Sequence, residues 1–111
     1  MNAEADILIR SEEQLRRLLA QEEALVLYFT SQSCNVCRAV FPKLMIRVSP
    51  QLIKVAKINI DEHPEIAGQM LVFTVPTVLM MYEGKEILRE SRFIDFQRVE
   101  RTLNVLHRTL S

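Results

Sequence analysis

Apolar residues run through the chain in two alternating rhythms. Ile7-Leu8-Ile9 is a short apolar run read as a strand. Ser11-Glu12-Glu13-Gln14 reads as a capping box, with Ser11 as N-cap and Gln14 reaching back, and Leu15, Leu18 and Leu19 follow at helical spacing. Leu25 to Thr30 is continuous and β-prone, the mark of a strand buried on both faces. From Cys34 the apolar residues Val36, Val40, Phe41, Leu44 and Val48 return to helical spacing, with Pro42 inside the helix and expected to kink it. Leu52 to Ile60 alternates like a strand. His63-Pro64 opens a short helix, with proline in the first turn where its missing N–H is harmless. Val78 to Tyr82 reads as a strand, Glu83-Gly84 as a turn, and Lys85 to Arg89 as the hairpin partner. Asp95 can cap a final helix whose stripe is Phe96, Val99, Leu103, Leu106 and Leu110. The order β-α-β-α-β-α-β-β-α predicts an α/β fold, a central mixed sheet flanked by helices on both faces.

With 111 residues, the chain is expected to form a single domain over 1–111, with 1–6 as a flexible N-terminal extension. The net charge is zero, from 14 basic and 14 acidic residues, so nothing favours nucleic acid or an anionic membrane as a partner. The same neutrality does little to keep copies apart and leaves the oligomeric state open. Met1 to Asp6 has neither the basic nor the apolar region of a secretory signal, and a cytoplasmic location is the expectation. Two glycines, Gly68 and Gly84, exclude a glycine-rich phosphate loop.

The two cysteines, Cys34 and Cys37, lie three positions apart, after a buried strand and at the opening of a helix. A bridge over so small a loop constrains the unfolded chain little, so stability is a poor reason for it. At a helix N-terminus, free N–H groups and the helix dipole favour a thiolate on Cys34. Cys37, one turn in, is more covered. The division of labour this predicts is Cys34 as the attacking nucleophile and Cys37 as the resolving sulfur. A zinc site is the rival reading. It takes four ligands, and beyond the pair the chain offers only His63 and His107, 44 residues apart; four thiolates would require a dimer. Neither metal nor cofactor is expected. Val75-Pro76-Thr77 supplies the second feature, a proline opening a strand. It reads either as an ordinary trans proline or as a cis one, which would turn the Val75 backbone toward the sulfurs to pair with an extended peptide.

These pieces together resemble the thioredoxin family over nearly the whole chain. They are the strand Leu25–Thr30, Cys34-Asn35-Val36-Cys37, Pro42, Val55 to Asp61, Pro64, Val75-Pro76-Thr77 and Glu83-Gly84-Lys85. The resemblance implies the thioredoxin fold, a cis Pro76 and thiol–disulfide exchange with protein substrates. It also implies an electron donor of the thioredoxin-reductase kind and a substrate site that includes Ser33, Val75, Pro76 and Arg92. Several positions depart from the family pattern. Ser33 stands for its tryptophan, Asn35-Val36 for Gly-Pro, Tyr28 for a buried aspartate that assists the resolving cysteine, and Arg92 for a glycine that leaves room for peptide. Lys57 then either lacks its family partner or snorkels to solvent. The departures favour a slower or more selective exchanger, with a redox-sensing or interaction adaptor as the alternative. Elsewhere, Met45, Met70, Met80 and Met81 read as core filling, and Phe93 and Ile94 either line the groove next to Pro76 or, the favoured reading, cover the core's edge. Arg98 to Arg101 with Glu100 reads as a solvated helix face.

Overall fold

The computed structural model describes residues 6–110, so most of the expected N-terminal extension lies outside the described residues. Its strands are β1 (Asp6–Leu8), β2 (Ala24–Thr30), β3 (Lys54–Asn59), β4 (Thr77–Tyr82) and β5 (Lys85–Ser91). The helices are α1 (Glu12–Gln21), α2 (Asn35–Val48), α3 (Pro64–Gln69) and α4 (Phe96–Leu110). The sheet order is β1-β3-β2-β4-β5; β1 and β2 run parallel to β3, β4 antiparallel to β2 and β5 antiparallel to β4. This is the expected mixed sheet in the expected element order.

The strand pleat sorts the core into two layers. Val26, Tyr28, Val55, Val78, Met80 and Leu88 face α2 and α4, where Leu44, Val48, Val99, Leu103 and Leu106 complete the layer. Leu25, Leu27, Phe29, Ala56, Ile58, Leu79 and Met81 face α1 and α3 through Leu15, Ile66 and Ala67. β2 lies at the sheet's centre and is buried from Ala24 to Phe29, which is why its residues show no polar alternation.

Local signals mostly act where the sequence puts them. The Gln14 N–H donates to Ser11 Oγ at 3.1 Å. The Gln14 side chain reaches one residue further back than a capping box requires and accepts from the Arg10 N–H at 2.6 Å. Asp95 caps α4, accepting from Gln97 and Arg98 N–H at 3.1 and 3.2 Å. Three expectations need correction. The third strand begins at Lys54 rather than Leu52, because a 3-10 turn at Ser49–Gln51 ends with Leu52 in left-handed backbone, φ 60°. Phe93 is 88% exposed and covers nothing, while Ile94 does pack against the core. Arg98 leaves the solvated face of α4 to donate to the buried Glu90 carboxylate at 2.6 Å, and Glu100 pairs with Arg47 at 3.0 Å.

Candidate active site

α2 begins at the cysteines. Cys34 is its N-cap, in extended backbone, and Cys37 lies in its first turn. The polar turn Ser31-Gln32-Ser33 lets the chain leave β2 and start the helix, and the Cys34 N–H donates to the Ser31 carbonyl at 3.3 Å. The two sulfurs are joined in a disulfide with Cα atoms 5.3 Å apart. Their environments differ sharply. Cys34 is half-buried, whereas Cys37 is 1% exposed and belongs to the core layer under α2. Cys34 Sγ also accepts the Cys37 N–H at 3.1 Å, so the sulfur acts as the cap of its own helix.

Beneath Cys37, Tyr28 is fully buried and its hydroxyl donates to the Cys37 carbonyl at 2.7 Å. Burial pushes that hydroxyl well above the ordinary tyrosine range, so it stays a neutral donor. The Tyr28 ring packs on Phe41 with centroids 5.1 Å apart, and the Lys57 ammonium stands 4.2 Å from the centroid of the same Phe41 ring. Among the described residues, Lys57 has no ion pair with a carboxylate, as the loss of the family aspartate implies, and it stays partly exposed while its cation rests on an aromatic face.

The opposite wall is the segment before β4. The Val75–Pro76 peptide is cis. Val75 and Cys34 pack against the same core layer. The Arg92 N–H donates to the Pro76 carbonyl at 2.7 Å, and Arg92 Nε donates to Thr74 Oγ1 at 3.3 Å. Thr77 Oγ1 donates to the Thr74 carbonyl at 2.8 Å and lies 3.3 Å from Ser91 Oγ. Arg92 has φ 66°, a region where a side chain costs about 1 kcal/mol and glycine costs nothing. Thr74, Pro76, Thr77 and Arg92 thus form one hydrogen-bonded unit, with Val75 between its members along the chain. Ser33 stands apart from it, exposed beside Cys34.

Sequence reading missed two arginines here. Arg38 follows Cys37 and donates to Asn35 Oδ1 at 2.5 Å and to the Gln32 carbonyl at 2.6 Å, bracing the turn ahead of Cys34. Its position four residues beyond Cys34 was a usable signal, since i and i+4 share a helix face. Arg89 donates to the Met70 and Leu71 carbonyls at 2.7 and 2.9 Å and to Glu86, tying β5 to the approach to Pro76. Nothing local marks that contact. Among the described residues, no group of three or more His, Cys, Asp or Glu could hold a metal ion, and no helix is long and apolar enough to cross a membrane.

A mixed sheet between two helical layers, with a two-cysteine bridge at a helix start and a cis proline just before β4, defines a class of thiol–disulfide proteins. The chain belongs to the thioredoxin family, whose model, described as Thioredoxin, matches residues 6–103. It is 38% identical to the thioredoxin-like protein YdfQ of Bacillus subtilis over 96 residues, 85% of either chain. To the thioredoxin of Chlamydia caviae it is 28% identical, covering 85% of this chain and 92% of that one. Among solved structures, thioredoxin O2 from Arabidopsis thaliana in the oxidized state superposes with a TM-score of 0.81 at 22% identity, covering 96% of this chain and 97% of that one, a likeness of fold. Thioredoxin 1 from Thermosipho africanus reaches 34% identity with a TM-score of 0.66, over 78% of this chain and 93% of that one. The family's general chemistry is thiol–disulfide exchange, and the Cys34–Cys37 pair is at disulfide distance for it.

Proposed function

We propose that this protein reduces or exchanges disulfides in polypeptide substrates, with Cys34 as nucleophile and Cys37 as resolving thiol. The observation that carries the reading is the asymmetry of the pair: a half-buried Cys34 sulfur capped by an N–H at 3.1 Å, against a Cys37 sulfur sealed in the core. In the dithiol form, that N–H and the helix end stabilise a Cys34 thiolate. The thiolate attacks one sulfur of the target disulfide, forming a mixed disulfide and expelling the target's other sulfur as thiolate, which takes a proton from water. Cys37, as thiolate, then attacks the Cys34 sulfur. The Cys34–Cys37 bond forms, the mixed disulfide breaks, and the second target thiol leaves. Two electrons pass from the protein's dithiol to the target. A dithiol donor of the thioredoxin-reductase kind, in a reducing compartment such as the cytoplasm, restores the pair.

In this reading the Val75 backbone pairs with the extended target, while Ser33, Pro76 and Arg92 border it. Turnover of insulin or of DTNB with dithiothreitol as donor is the test. Wild type is expected to accelerate it, and Cys34→Ser to match the uncatalysed rate. Equal turnover by Cys34→Ser would refute the reading. One observation favours the alternative, a redox-sensing or interaction adaptor with little turnover. Tyr28, a neutral donor, lies beneath Cys37 where a base would speed resolution. The adaptor reading predicts feeble insulin reduction together with a partner retained covalently by Cys37→Ser.

A further inference from the structure

We infer that Arg92 makes this site select polypeptides that carry acidic residues beside the target disulfide. The inference rests on the exchange reading above and names its substrate class.

Arg92 is held in place before any substrate arrives. Its N–H is bound to the Pro76 carbonyl, its Nε to Thr74 Oγ1, and Thr77 ties the Thr74 carbonyl to the same segment. Little side-chain entropy then remains to be lost on binding, the usual discount on an exposed ion pair. The guanidinium is also uncompensated by its own surroundings. The two carboxylates nearest along the chain are committed elsewhere: Glu90 is buried and takes the Asp95 N–H and Arg98 guanidinium, while Asp95 caps α4. Arg38, on the cysteine side, has only neutral acceptors, Asn35 Oδ1 and the Gln32 carbonyl. Among the described residues, neither arginine is in an ion pair. Arg92 therefore brings an unanswered positive charge to the Pro76 loop, in a chain whose total charge is zero, whereas Arg38 lines a separate cavity with Glu62.

A polypeptide fits this better than a small anionic disulfide. Phe73, next to Thr74, is 81% exposed, and Phe93, next to Arg92, is 88% exposed. Because Arg92 touches Thr74, the two aromatic residues flank one contact. Aromatic surface of that extent is covered by a chain of several residues, with Arg92 meeting its carboxylates.

The experiment uses three disulfide-bridged peptides, identical except for Glu, Gln or Lys two positions from the attacked cysteine, with dithiothreitol as donor. At low ionic strength the Glu peptide is expected to show a kcat/KM about fivefold above the Lys peptide, the size of one ordered ion pair. At about 0.5 M salt, where screening acts within a few Å, the ratio should fall toward one. Arg92→Gln should remove most of the preference, Arg92→Lys should keep it, and Arg92→Glu should invert it. Equal rates for the three peptides in wild type, or a ratio unmoved by Arg92→Gln, would overturn the inference while leaving the exchange reading standing. Failure of wild type to reduce any of them, the Gln peptide included, would overturn both.

Discussion

The two faces of the sheet are equally dry and do different work. Tyr28 and Phe29 are neighbours on β2, both fully buried, pointing to opposite sides. Phe29 enters a layer sealed by α1 and α3, in which apolar contact is the whole story of its side chain. Tyr28 enters the layer under α2 and α4, and there its hydroxyl holds the carbonyl of a redox cysteine. The same face carries the buried Glu90 with Arg98, Lys57 over Phe41, and Arg47 4.3 Å over Phe96. One face is a foundation. The other is a core into which a few polar groups are admitted, and the Tyr28 hydroxyl and Glu90 carboxylate each have a partner there, since a buried polar group without one costs about 1–3 kcal/mol. The redox pair thus sits where backbone position is fixed by directional bonds as well as by packing.

The sharpest way to separate the faces is to remove chemistry from one and packing from the other. Cys34→Ser should abolish disulfide turnover while the fold, followed by far-ultraviolet circular dichroism, persists. Phe29→Ala should do the reverse: a loss of about 3–5 kcal/mol in urea unfolding, from the cavity it leaves, with exchange by the remaining folded molecules preserved. Arg98→Ala should cost about 1–3 kcal/mol by leaving the Glu90 carboxylate buried with only the Asp95 N–H, a larger loss than expected for an exposed helix arginine. Removal of the exposed Glu13–Arg17 pair, 3.4 Å apart on α1, is the matched control and should cost well under about 1 kcal/mol.

The smallest effect tests the Tyr28 hydroxyl. Tyr28→Phe keeps the ring and loses one hydrogen bond, about 1 kcal/mol at neutral pH. Its pH dependence is more telling. The folded protein holds the Tyr28 proton above the unfolded value of 10.0, so the contribution is complete below pH 10 and lost as pH rises past it. Above pH 10 wild-type stability should fall by up to about 1.4 kcal/mol per pH unit on this account, and Tyr28→Phe should lack that part of the slope. Unfolding free energies from pH 9 to pH 11 would measure it, and parallel slopes for the two proteins would contradict the burial of the hydroxyl as a neutral donor.

Much of this was written locally. β2 announced itself as a doubly buried strand because six consecutive apolar residues admit no solvated face. The caps at Ser11 and Asp95 were legible because a cap is a contact within three residues. CxxC at a helix start suggested which sulfur would attack, and the exchange chemistry followed only when the pair was taken with Val75-Pro76-Thr77 and the family resemblance. What local pattern misjudged were side chains whose partners lie far along the chain. Arg98 looked like surface until β5 brought Glu90 beneath it. Phe93 looked like cover until Arg92 took left-handed backbone and α4 began three residues later, which left the ring outside. Among the described residues Lys57 keeps no carboxylate partner, as its sequence reading allowed, but the aromatic face it rests on could not be read locally, since Phe41 arrives from α2.

By itself, then, the sequence determined the order of elements, the double burial of the central strands and a thiol pair at a helix start, because periodicity, capping and helix ends are short-range physics. Only the tertiary structure decided that Tyr28 fastens the Cys37 carbonyl and that Arg92 is bound to the Pro76 loop with its charge unanswered. Those outcomes depend on contacts between residues 9 to 18 positions apart, and they exist only once the sheet has brought α2, the Pro76 loop and the end of β5 to one edge.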